Sequence, residues 1–285
     1  MAMSVLKGQT GPSPADVWAS GDYADVCDRM IPLLGARLTE IAGVQAGDDV
    51  LDVAAGTGNA ALPAAATGAK VTAVDITVEL LRAGSERARN AGLDIRWVHG
   101  DAHALPLRDS SFDRVISCVG VQFCADPPTT AAELLRVCRP GGWVALIAWT
   151  REGFIGQVLS AVAKATSVVS SIWSPLDWGS EEKVSLLMAQ QVEPIAFGRE
   201  HALMAAESAA GWVDYMADAY GPLVRARTAL ASRGEWDALR LRLIQIASAH
   251  GQGTGGKFSA RAEYLTAVMR RHAQPNPRTD PKVRG

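Results

Sequence analysis

The sequence predicts an α/β fold in which a seven-stranded, mostly parallel sheet carries helices on both faces. Short apolar segments alternate with helical segments from about residue 49 to residue 150, and repeated strand–helix units of this kind form a parallel sheet. A glycine-rich turn follows the first apolar segment directly. The composition, with 48% hydrophobic and 20% charged residues among 285, is that of an ordinary globular protein. One large domain with helical additions is therefore expected.

The N-terminal segment, residues 1–44, is predicted to contain two or three short helices. Apolar residues recur there every three to five positions, at Val26, Ile31, Leu34, Leu38 and Ile41. This spacing is typical of one buried helix face. Pro32 interrupts the pattern because its ring removes a backbone donor inside a helix. One helix should therefore end near Pro32 and another should begin after it.

Residues 45–150 are predicted to form the core of the sheet. Five apolar strands are expected at residues 49–53, 70–75, 94–99, 113–118 and 143–149. Helices are expected from residue 59, at 80–90 and at 131–138, and a turn at 139–142 precedes the fifth strand. Because each strand is separated from the next by a crossover, these five strands should all run parallel.

Residues 151–270 are predicted to form a helical cap, inserted after the fifth strand, together with the last two strands. The helices are expected around residues 154–168, 181–189, 206–220 and 235–250, and the strands near 192–197 and 263–269. The tail, residues 271–285, is rich in proline and charge and is expected to be disordered.

The net charge and hydropathy of the chain argue against some classes of binding partner. The formal net charge of -2 provides no excess positive field to neutralise phosphates, which argues against nucleic acid as the main partner. No run of about 18 apolar residues is present to span a membrane, and the N-terminus lacks the apolar region of a secretory signal. A cytoplasmic location is therefore expected, and a homodimer is left open.

The cysteines are predicted to be buried free thiols. Cys27, Cys118, Cys124 and Cys138 form no CxxC pair and lie near apolar stretches. Paired spacing is the usual sign of a disulfide framework or a zinc site. We therefore expect neither a disulfide nor a bound metal.

The first strand runs into a glycine-rich turn and then a helix. The segment reads Val50-Leu51-Asp52-Val53-Ala54-Ala55-Gly56-Thr57-Gly58-Asn59. Glycine allows a ligand to approach the backbone closely at a helix N-terminus. Asp75 ends the second strand about twenty residues later, where a carboxylate accepts hydrogen bonds from ribose hydroxyls. A bare GxG also fits NAD and other nucleotides, or a merely tight turn.

Two further acidic residues favour S-adenosylmethionine over a dinucleotide. Asp52 lies four residues before Gly56, where it suits the ammonium group of S-adenosylmethionine and would repel a pyrophosphate. Asp101 follows the third strand in Gly100-Asp101-Ala102. Its carboxylate is placed to accept from the adenine amino group.

These motifs, with Phe112-Asp113-Arg114-Val115-Ile116-Ser117 and Arg136-Val137-Cys138-Arg139-Pro140-Gly141-Gly142, closely resemble those of class I S-adenosylmethionine-dependent methyltransferases. The likeness is to the small-molecule branch, which includes ubiquinone- and menaquinone-biosynthesis enzymes and bacterial natural-product methyltransferases. It covers about residues 15–150 and five ordered motifs. The resemblance implies a Rossmann-like core over residues 45–150 and methyl transfer to a small organic acceptor.

The resemblance also implies a cofactor site drawn from separate segments of the chain. Its members are Trp18, Tyr23, Asp52, Ala54, Gly56, Thr57, Gly58, Asn59, Asp75, Ile76, Leu80, Gly100, Asp101, Ala102, Ser117, Val119 and Gln122. The turn at 56–58 would hold the methionyl part, Ile76 and Leu80 would pack on the adenosine, and Ser117 to Val119 would line the floor near the sulfonium.

Three of these residues have a plain alternative. Trp18 and Tyr23 would close the N-terminal segment over the methionine end, or would simply pack between helices. Gln122 would face the acceptor, or would make an ordinary loop contact.

No residue is predicted to be a general base. Histidine is the usual candidate because its pKa lies near neutrality. His99 and His103 flank the adenine-side motif and are expected to be structural, whereas His201 and His250 lie in the weakly patterned C-terminal half. The catalytic residue therefore stays unknown.

Bulky side chains concentrate after the fifth strand, at Trp173, Trp178, Trp212, Tyr215, Met216 and Tyr220. They are interpreted either as core or as walls of an apolar acceptor pocket above the strand ends. The second interpretation predicts a small, largely apolar acceptor, methylated at oxygen or carbon. Two alternatives are a nicotinamide-dependent oxidoreductase and a protein that holds the cofactor without transferring its methyl group.

Overall fold

The computed structural model describes residues 13–167, 173–188, 190–193, 196–253 and 257–273. Its strands are β1 (Asp49–Val53), β2 (Lys70–Asp75), β3 (Ile95–His99), β4 (Phe112–Cys118), β5 (Cys138–Trp149), β6 (Ala196–Ala206) and β7 (Phe258–Arg270). They form a single sheet in the order β3-β2-β1-β4-β5-β7-β6. The first five strands are parallel, and β7 runs antiparallel to both of its neighbours. The predicted seven-stranded, mostly parallel sheet is confirmed.

The helices lie before, between and after these strands. They are α1 (Pro14–Trp18), α2 (Tyr23–Met30), α3 (Leu34–Ile41), α4 (Ala61–Ala66), α5 (Val78–Asn90), α6 (Pro127–Val137), α7 (Phe154–Ala165), α8 (Glu181–Met188), α9 (Ala209–Ala219), α10 (Gly221–Ala231) and α11 (Trp236–His250). Two 3₁₀ turns, Gly120–Phe123 and Pro175–Gly179, complete the set. In the described part of the chain, none of these helices combines the length and hydropathy that crossing a membrane requires.

Two hydrophobic layers cover the sheet. One contains buried residues of α3, α4, α7, α9 and α11, and the other contains buried residues of α6 and α8. Helices therefore cover both faces, as the sequence predicts. Trp178, which is 1% exposed, belongs to the second layer.

The N-terminal helices are attached to the cap helices by backbone contacts. Three short helices precede β1, as expected, and α2 ends just before Pro32. The Asp22 N–H donates to the Ala219 carbonyl oxygen at 2.8 Å, and the Ser20 hydroxyl donates to the Gly221 carbonyl oxygen at 3.2 Å. The N-terminal segment is thus held where α9 meets α10.

The fifth and sixth strands differ from their predicted bounds. Cys138 already pairs with Phe112, and a register shift follows, so the expected turn at 139–142 lies within β5. The expected strand at 192–197 is wrong, because Val192 forms only an isolated bridge with Arg271. The sixth strand is Ala196–Ala206 instead. It lies at the edge of the sheet with mostly exposed or half-buried residues, and it therefore lacks the apolar run by which the other strands are detected.

The cap is divided between two insertions. Helices α7 and α8 follow β5, whereas α9, α10 and α11 lie between β6 and β7. The helix expected at 206–220 is shorter, and a second helix starts at Gly221 with Pro222 in its first turn, a position that proline favours. Most of the predicted disordered tail, residues 274–285, lies outside the described residues.

Candidate functional site

Two strained turns meet at the centre of the sheet. β1 and β4 are neighbours there, and β1 is followed by Ala54 with φ 53° while β4 is followed by Val119 with φ 65°. Left-handed backbone is unusual for alanine and more so for a β-branched residue, and such strain concentrates at functional sites. A Cβ atom on Gly120 would lie 2.3 Å from the Ala54 carbonyl oxygen. Only glycine fits here, at the point where the strand order reverses and open α/β sheets bind ligands.

A cleft opens above these turns, called the main cleft below. It encloses about 820 Å³ including its mouth. The predicted site residues that line it are Trp18, Tyr23, Ala54, Gly56, Asp75, Ile76, Leu80, Gly100, Asp101 and Ala102. Residues more than 80 positions apart in the sequence are thus brought together at one edge of the sheet.

Asp75 lies in the wall of the main cleft at the end of β2. One carboxylate oxygen accepts from the Gly56 N–H at 2.8 Å and the other accepts from the Thr77 N–H at 2.8 Å. Burial raises the pKa of Asp75, and these hydrogen bonds act in the opposite direction. The carboxylate is fixed in one orientation, with further lone pairs able to accept from two adjacent hydroxyl groups.

Asp52 is a buried carboxylate on β1, two residues before Ala54. Its side chain is 1% exposed, and both oxygens lack a hydrogen-bond partner. Burial raises the pKa of Asp52 to about 8; the nearby Ala61 N–H opposes this rise, and the carboxyl of Asp75 adds to it. An isolated carboxylate is costly to bury unless it is protonated or meets a cation. Asp52 is not among the residues that line the main cleft.

Asp101 is held in place by His103. The Asp101 Oδ1 atom accepts from the His103 backbone N–H at 2.9 Å and lies 2.7 Å from Nδ1 of the same histidine. His103 Nε2 accepts in turn from the Asp126 N–H at 3.1 Å. His103 therefore connects the loops after β3 and β4, which fits its expected structural role, and Asp101 remains half-exposed at the cleft.

An aromatic cluster separates the main cleft from the cap. Trp18 is its centre, with ring centroids 4.9 Å from Phe123, 5.4 Å from Tyr23 and 5.7 Å from Tyr220. All three contacts are edge-to-face, the arrangement that aromatic rings prefer. The ring of Tyr23 also approaches Gly56, where an added Cβ atom would lie 3.3 Å from it. Trp18 and Tyr23 are therefore both packing residues and cleft residues.

Thr57, Gly58 and Asn59 of the glycine-rich turn offer no side chain to the main cleft. Thr57 accepts from Arg87 at 3.2 Å and is fully buried. Gly58 has φ 85°, and a Cβ atom there would lie 2.8 Å from the ring of Trp97 on β3, so glycine is favoured at this position. Asn59 donates to the Cys118 Sγ atom at 3.6 Å. Any contact between these residues and a ligand in the main cleft has to come from the backbone.

Ser117 and Gln122 are structural in their observed contacts. The Ser117 hydroxyl donates to the Val53 carbonyl oxygen at 2.7 Å and accepts from the Val121 N–H at 3.1 Å. Gln122 Oε1 accepts from the Trp149 N–H at 2.8 Å. Neither side chain is among the residues that line the main cleft. Both fasten the turn after β4 to its neighbours, and the predicted floor and acceptor contacts do not come from these two side chains.

Several residues that line the main cleft were not predicted from the sequence. They are Pro14, Val74, His103, Gly120, Phe123, Cys124 and Ala125. Phe123 had a usable signal, since it is the aromatic residue directly after Gln122. Cys124 and Ala125 had no such signal, because the position of a small loop residue relative to a cleft depends on how the strands are assembled.

A second cavity, the inner chamber, adjoins the main cleft. It spans about 670 Å³ including its open side, and Tyr23 and Phe123 line both spaces. Its other walls are almost entirely apolar and come mainly from α2, α7, α9 and α10, with single residues such as Met204 from the strands. A binding site beneath the cap was expected, and the inner chamber has that position.

The bulky residues that the sequence suggests as walls of an acceptor pocket fall into two groups. Trp212, Met216 and Tyr220 line the inner chamber. Trp178 does not, because it is buried in the core on the opposite face of the sheet. Tyr215 turns outward and donates to Asp25 Oδ2 at 2.8 Å.

Trp173 lies beside Lys183, whose Nζ atom is 5.7 Å from the ring centroid. Ser170, Ser171 and Ile172, which the sequence groups with Trp173, lie outside the described residues. Trp173 is not among the residues that line the inner chamber.

The four predicted thiols are free, with three buried and Cys124 half-buried. Burial raises the pKa of the Cys124 thiol to about 12, so the thiol in the wall of the main cleft stays protonated at neutral pH.

Known proteins that are similar in sequence and in fold identify the family of this chain. A family model described as a methyltransferase domain matches residues 51–146. Rv1403c of Mycobacterium tuberculosis is 40% identical over 225 residues, which cover 77% of this chain and 81% of that protein. The demethylmenaquinone methyltransferase of Renibacterium salmoninarum is 38% identical over 117 residues, covering 41% of this chain and 48% of that enzyme.

The chain belongs to the class I S-adenosylmethionine-dependent methyltransferases. The methyltransferase has the fold of the YcgJ protein from Bacillus subtilis, with a TM-score of 0.58, 16% identity and coverage of 84% of this chain and 97% of that one. Its cofactor is S-adenosylmethionine, and the nicotinamide alternative is excluded. The site of this methyltransferase fits the cofactor, because the buried Asp52 carboxyl, whose oxygens have no hydrogen-bond partner, can ionise against a cation such as the cofactor's ammonium group.

Proposed function

We propose that the methyltransferase acts on a small, largely apolar organic acceptor bound in the inner chamber, at an oxygen or carbon atom. The observation that carries this proposal is the shared wall. Tyr23 and Phe123 line both the main cleft and the inner chamber. A donor in the first space and an acceptor in the second would therefore meet across these two rings.

We assign the main cleft to the cofactor as follows. Asp75 would accept from the ribose hydroxyls, because its orientation is fixed by Gly56 and Thr77. Asp101 would accept from the adenine amino group, and Asp52 would neutralise the ammonium group. The apolar side chains of Ile76 and Leu80, with the turns around Ala54 and Gly100, would pack around the adenosine.

The walls of the inner chamber favour an anionic oxygen or carbon nucleophile. When bound, S-adenosylmethionine supplies a methyl group on a sulfonium for in-line displacement by the acceptor. Attack by an anion converts two opposite charges into neutral products, and apolar walls such as Val158 and Met204 favour that loss of charge. Attack by a neutral amine would leave a cation in the same apolar space. These walls also exclude water and hold the acceptor near its reacting geometry.

Tyr23 and Tyr220 form part of the chamber wall. Burial raises the pKa of both, so each stays protonated and does not act as a base. This arrangement supports an acceptor that loses its proton to solvent before it binds. The demethylmenaquinone methyltransferase relative supports a small organic acceptor, since its name gives demethylmenaquinone as the molecule it methylates.

We also propose that nucleic acid is not a substrate and that the protein acts in the cytoplasm. Several basic residues of the cap are ion-paired within the protein. Arg240 binds Asp214 at 2.6 Å, and Arg227 is paired with Asp218. Paired guanidinium groups of this kind do not form a phosphate-binding track.

Transfer of radiolabelled methyl groups tests the proposal. The purified protein is incubated with labelled S-adenosylmethionine and a panel of hydroxyquinones, phenols, enols, amines, tRNA and duplex DNA. Label should enter an apolar oxygen or carbon acceptor, and the Asp75→Ala variant should transfer much less. Preferential labelling of amines or of nucleic acid would overturn the proposed acceptor class.

A further inference from the structure

A third cavity, called the outer cavity, continues the line of the first two. It lies between α7 and α10, beside the segment Ser174–Leu176, and encloses about 1330 Å³ including its open mouth. Arg225 and Thr228 are exposed and mark the mouth. The outer cavity is therefore an open cleft between two cap helices.

The outer cavity and the inner chamber share part of their walls. Phe123, Leu159, Val162 and Pro222 line both spaces, and Phe123 lines the main cleft as well. These four side chains, called the neck below, lie where the walls of the two cavities meet. A molecule that reaches from the mouth to the main cleft would pass only apolar side chains at this neck.

The side chains that line the outer cavity are mostly small and apolar. Ala163 and Thr166 lie one turn apart on α7, and Ala226 and Ala229 lie one turn apart on α10. Residues three positions apart share a helix face. Small side chains on facing surfaces of the two helices leave a slot that larger side chains would fill. The slot suits a flexible, unbranched chain better than a second ring system.

We propose that the outer cavity is a second acceptor subsite that binds an apolar chain attached to the methylated group. The acceptor is then a molecule with two parts: a compact head in the inner chamber and an aliphatic tail that passes the neck at Leu159 and Val162. This inference rests on the proposed function, because it extends the acceptor that the inner chamber holds. The length of the tail, rather than only the chemistry of the head, would determine which acceptors bind well.

A homologous series of n-alkyl 4-hydroxybenzoates tests the subsite. Methyl to dodecyl esters are titrated, each below its critical micelle concentration, into the full-length enzyme saturated with S-adenosylhomocysteine. Binding is measured by calorimetry. Each methylene that enters the outer cavity should improve affinity about fourfold, the free energy of burying one CH₂ group, and the gain should stop when the chain reaches the mouth.

Two variants in which a tryptophan fills the slot test whether the long esters bind there. Ala163→Trp and Ala229→Trp obstruct the slot from opposite helices at positions that are not fully buried. Each should remove most of the gain of the long esters and leave the affinity of the methyl ester unchanged. Gln157→Trp, on the exposed side of α7, is the control and should behave as the unmodified protein. Melting temperatures establish that each variant is folded.

The outcomes separate this inference from the proposed function. Equal affinity for all esters, or a full gain retained in both filled variants, overturns the tail subsite while the head still binds in the inner chamber. If tail length changes only the association rate, the outer cavity is an access route and the subsite is again overturned. Failure of every ester to bind overturns both the subsite and the apolar acceptor chamber.

Discussion

The main cleft and the inner chamber adjoin each other, yet they are built in opposite ways. The main cleft is made from strand ends, backbone N–H groups and fixed carboxylates such as Asp75. The inner chamber is made mainly from side chains of α2, α7, α9 and α10, with few polar groups. A constant ligand with many polar atoms is recognised by directional hydrogen bonds, whereas an apolar ligand is recognised by shape and excluded water. Changes on one side should therefore affect one ligand only.

Gly120→Ala should have the largest effect on cofactor binding, because Gly120 lies where the two strained turns meet. The added Cβ atom would lie 2.3 Å from a backbone oxygen and 2.6 Å from the Ala54 Cβ atom. We expect affinity for S-adenosylhomocysteine to fall by about 3 kcal/mol, on the order of a hundredfold. Calorimetry and thermal melting measure the two consequences. Gly251→Ala is the control, since its nearest contact would be 3.3 Å at φ −66°; equal losses in both variants would contradict the argument.

Asp75→Ala should weaken cofactor binding by about 1.5 to 3 kcal/mol, the scale for hydrogen bonds to a charged group. The substitution removes the acceptor for the ribose and releases the Gly56 and Thr77 N–H groups. Titration with S-adenosylhomocysteine checks the loss. Asp75→Asn keeps an acceptor oxygen and should lose less. Unchanged affinity in the alanine variant would remove Asp75 from the ribose site.

Asp52 should make cofactor binding release a proton. With a pKa of about 8, its carboxyl is mostly protonated at pH 7 and ionises when the ammonium group arrives. Calorimetry of S-adenosylhomocysteine binding in buffers of different ionisation enthalpy should therefore show about one proton released at pH 7. Asp52→Asn should release markedly fewer, and an identical proton count in that variant would assign the release to another group.

The same shift predicts the direction of a stability change. The folded protein holds this proton up to about pH 8, whereas the unfolded chain loses it near 3.8. Without cofactor, the free energy of unfolding should therefore fall as pH rises across that window. Thermal melting should show this fall in the unmodified protein and a smaller one in Asp52→Asn.

Val158→Phe should change acceptor binding and leave the cofactor alone. Val158 is 5% exposed and lines the inner chamber, so a larger ring would occupy acceptor space. The apparent KM of a methylated panel compound should rise about tenfold, roughly 1.4 kcal/mol, with unchanged affinity for S-adenosylhomocysteine. Gln157→Phe on the exposed side of α7 should change neither quantity. A parallel loss of both affinities would show that the two regions are not independent.

Histidine substitutions should have the smallest effects. His99 contacts the Ile76 carbonyl oxygen at 3.1 Å, His201 lies 3.3 Å from Arg261, and the ring of His250 packs on Phe154. Replacing each of these residues, or His103, by Gln should keep turnover within about tenfold, roughly 1.4 kcal/mol of barrier. Single-turnover rates check this. A thousandfold loss at one position would identify a general base.

The first five strands, the cofactor class and most of the main cleft could be predicted from the sequence alone. These features are encoded locally, because a strand, a glycine turn and an acidic residue at the next strand end lie within a few dozen positions. Asp75 and Gly56 are an example, since parallel pairing of β1 with β2 obliges their loops to meet. A sixth strand was predicted, but its bounds were misplaced because the exposed residues of β6 carry no apolar run.

Which bulky residues line the inner chamber depends on the tertiary packing. Trp178 and Trp212 are equally buried tryptophans in the C-terminal half, yet the first packs in the layer of α6 and α8 and the second lines the inner chamber. The local patterns of these two residues do not differ in a way that reveals the face of the sheet each one reaches. That choice depends on how the two insertions of the cap fold back over β5 and β7, because burial rewards apolar contact on either face equally.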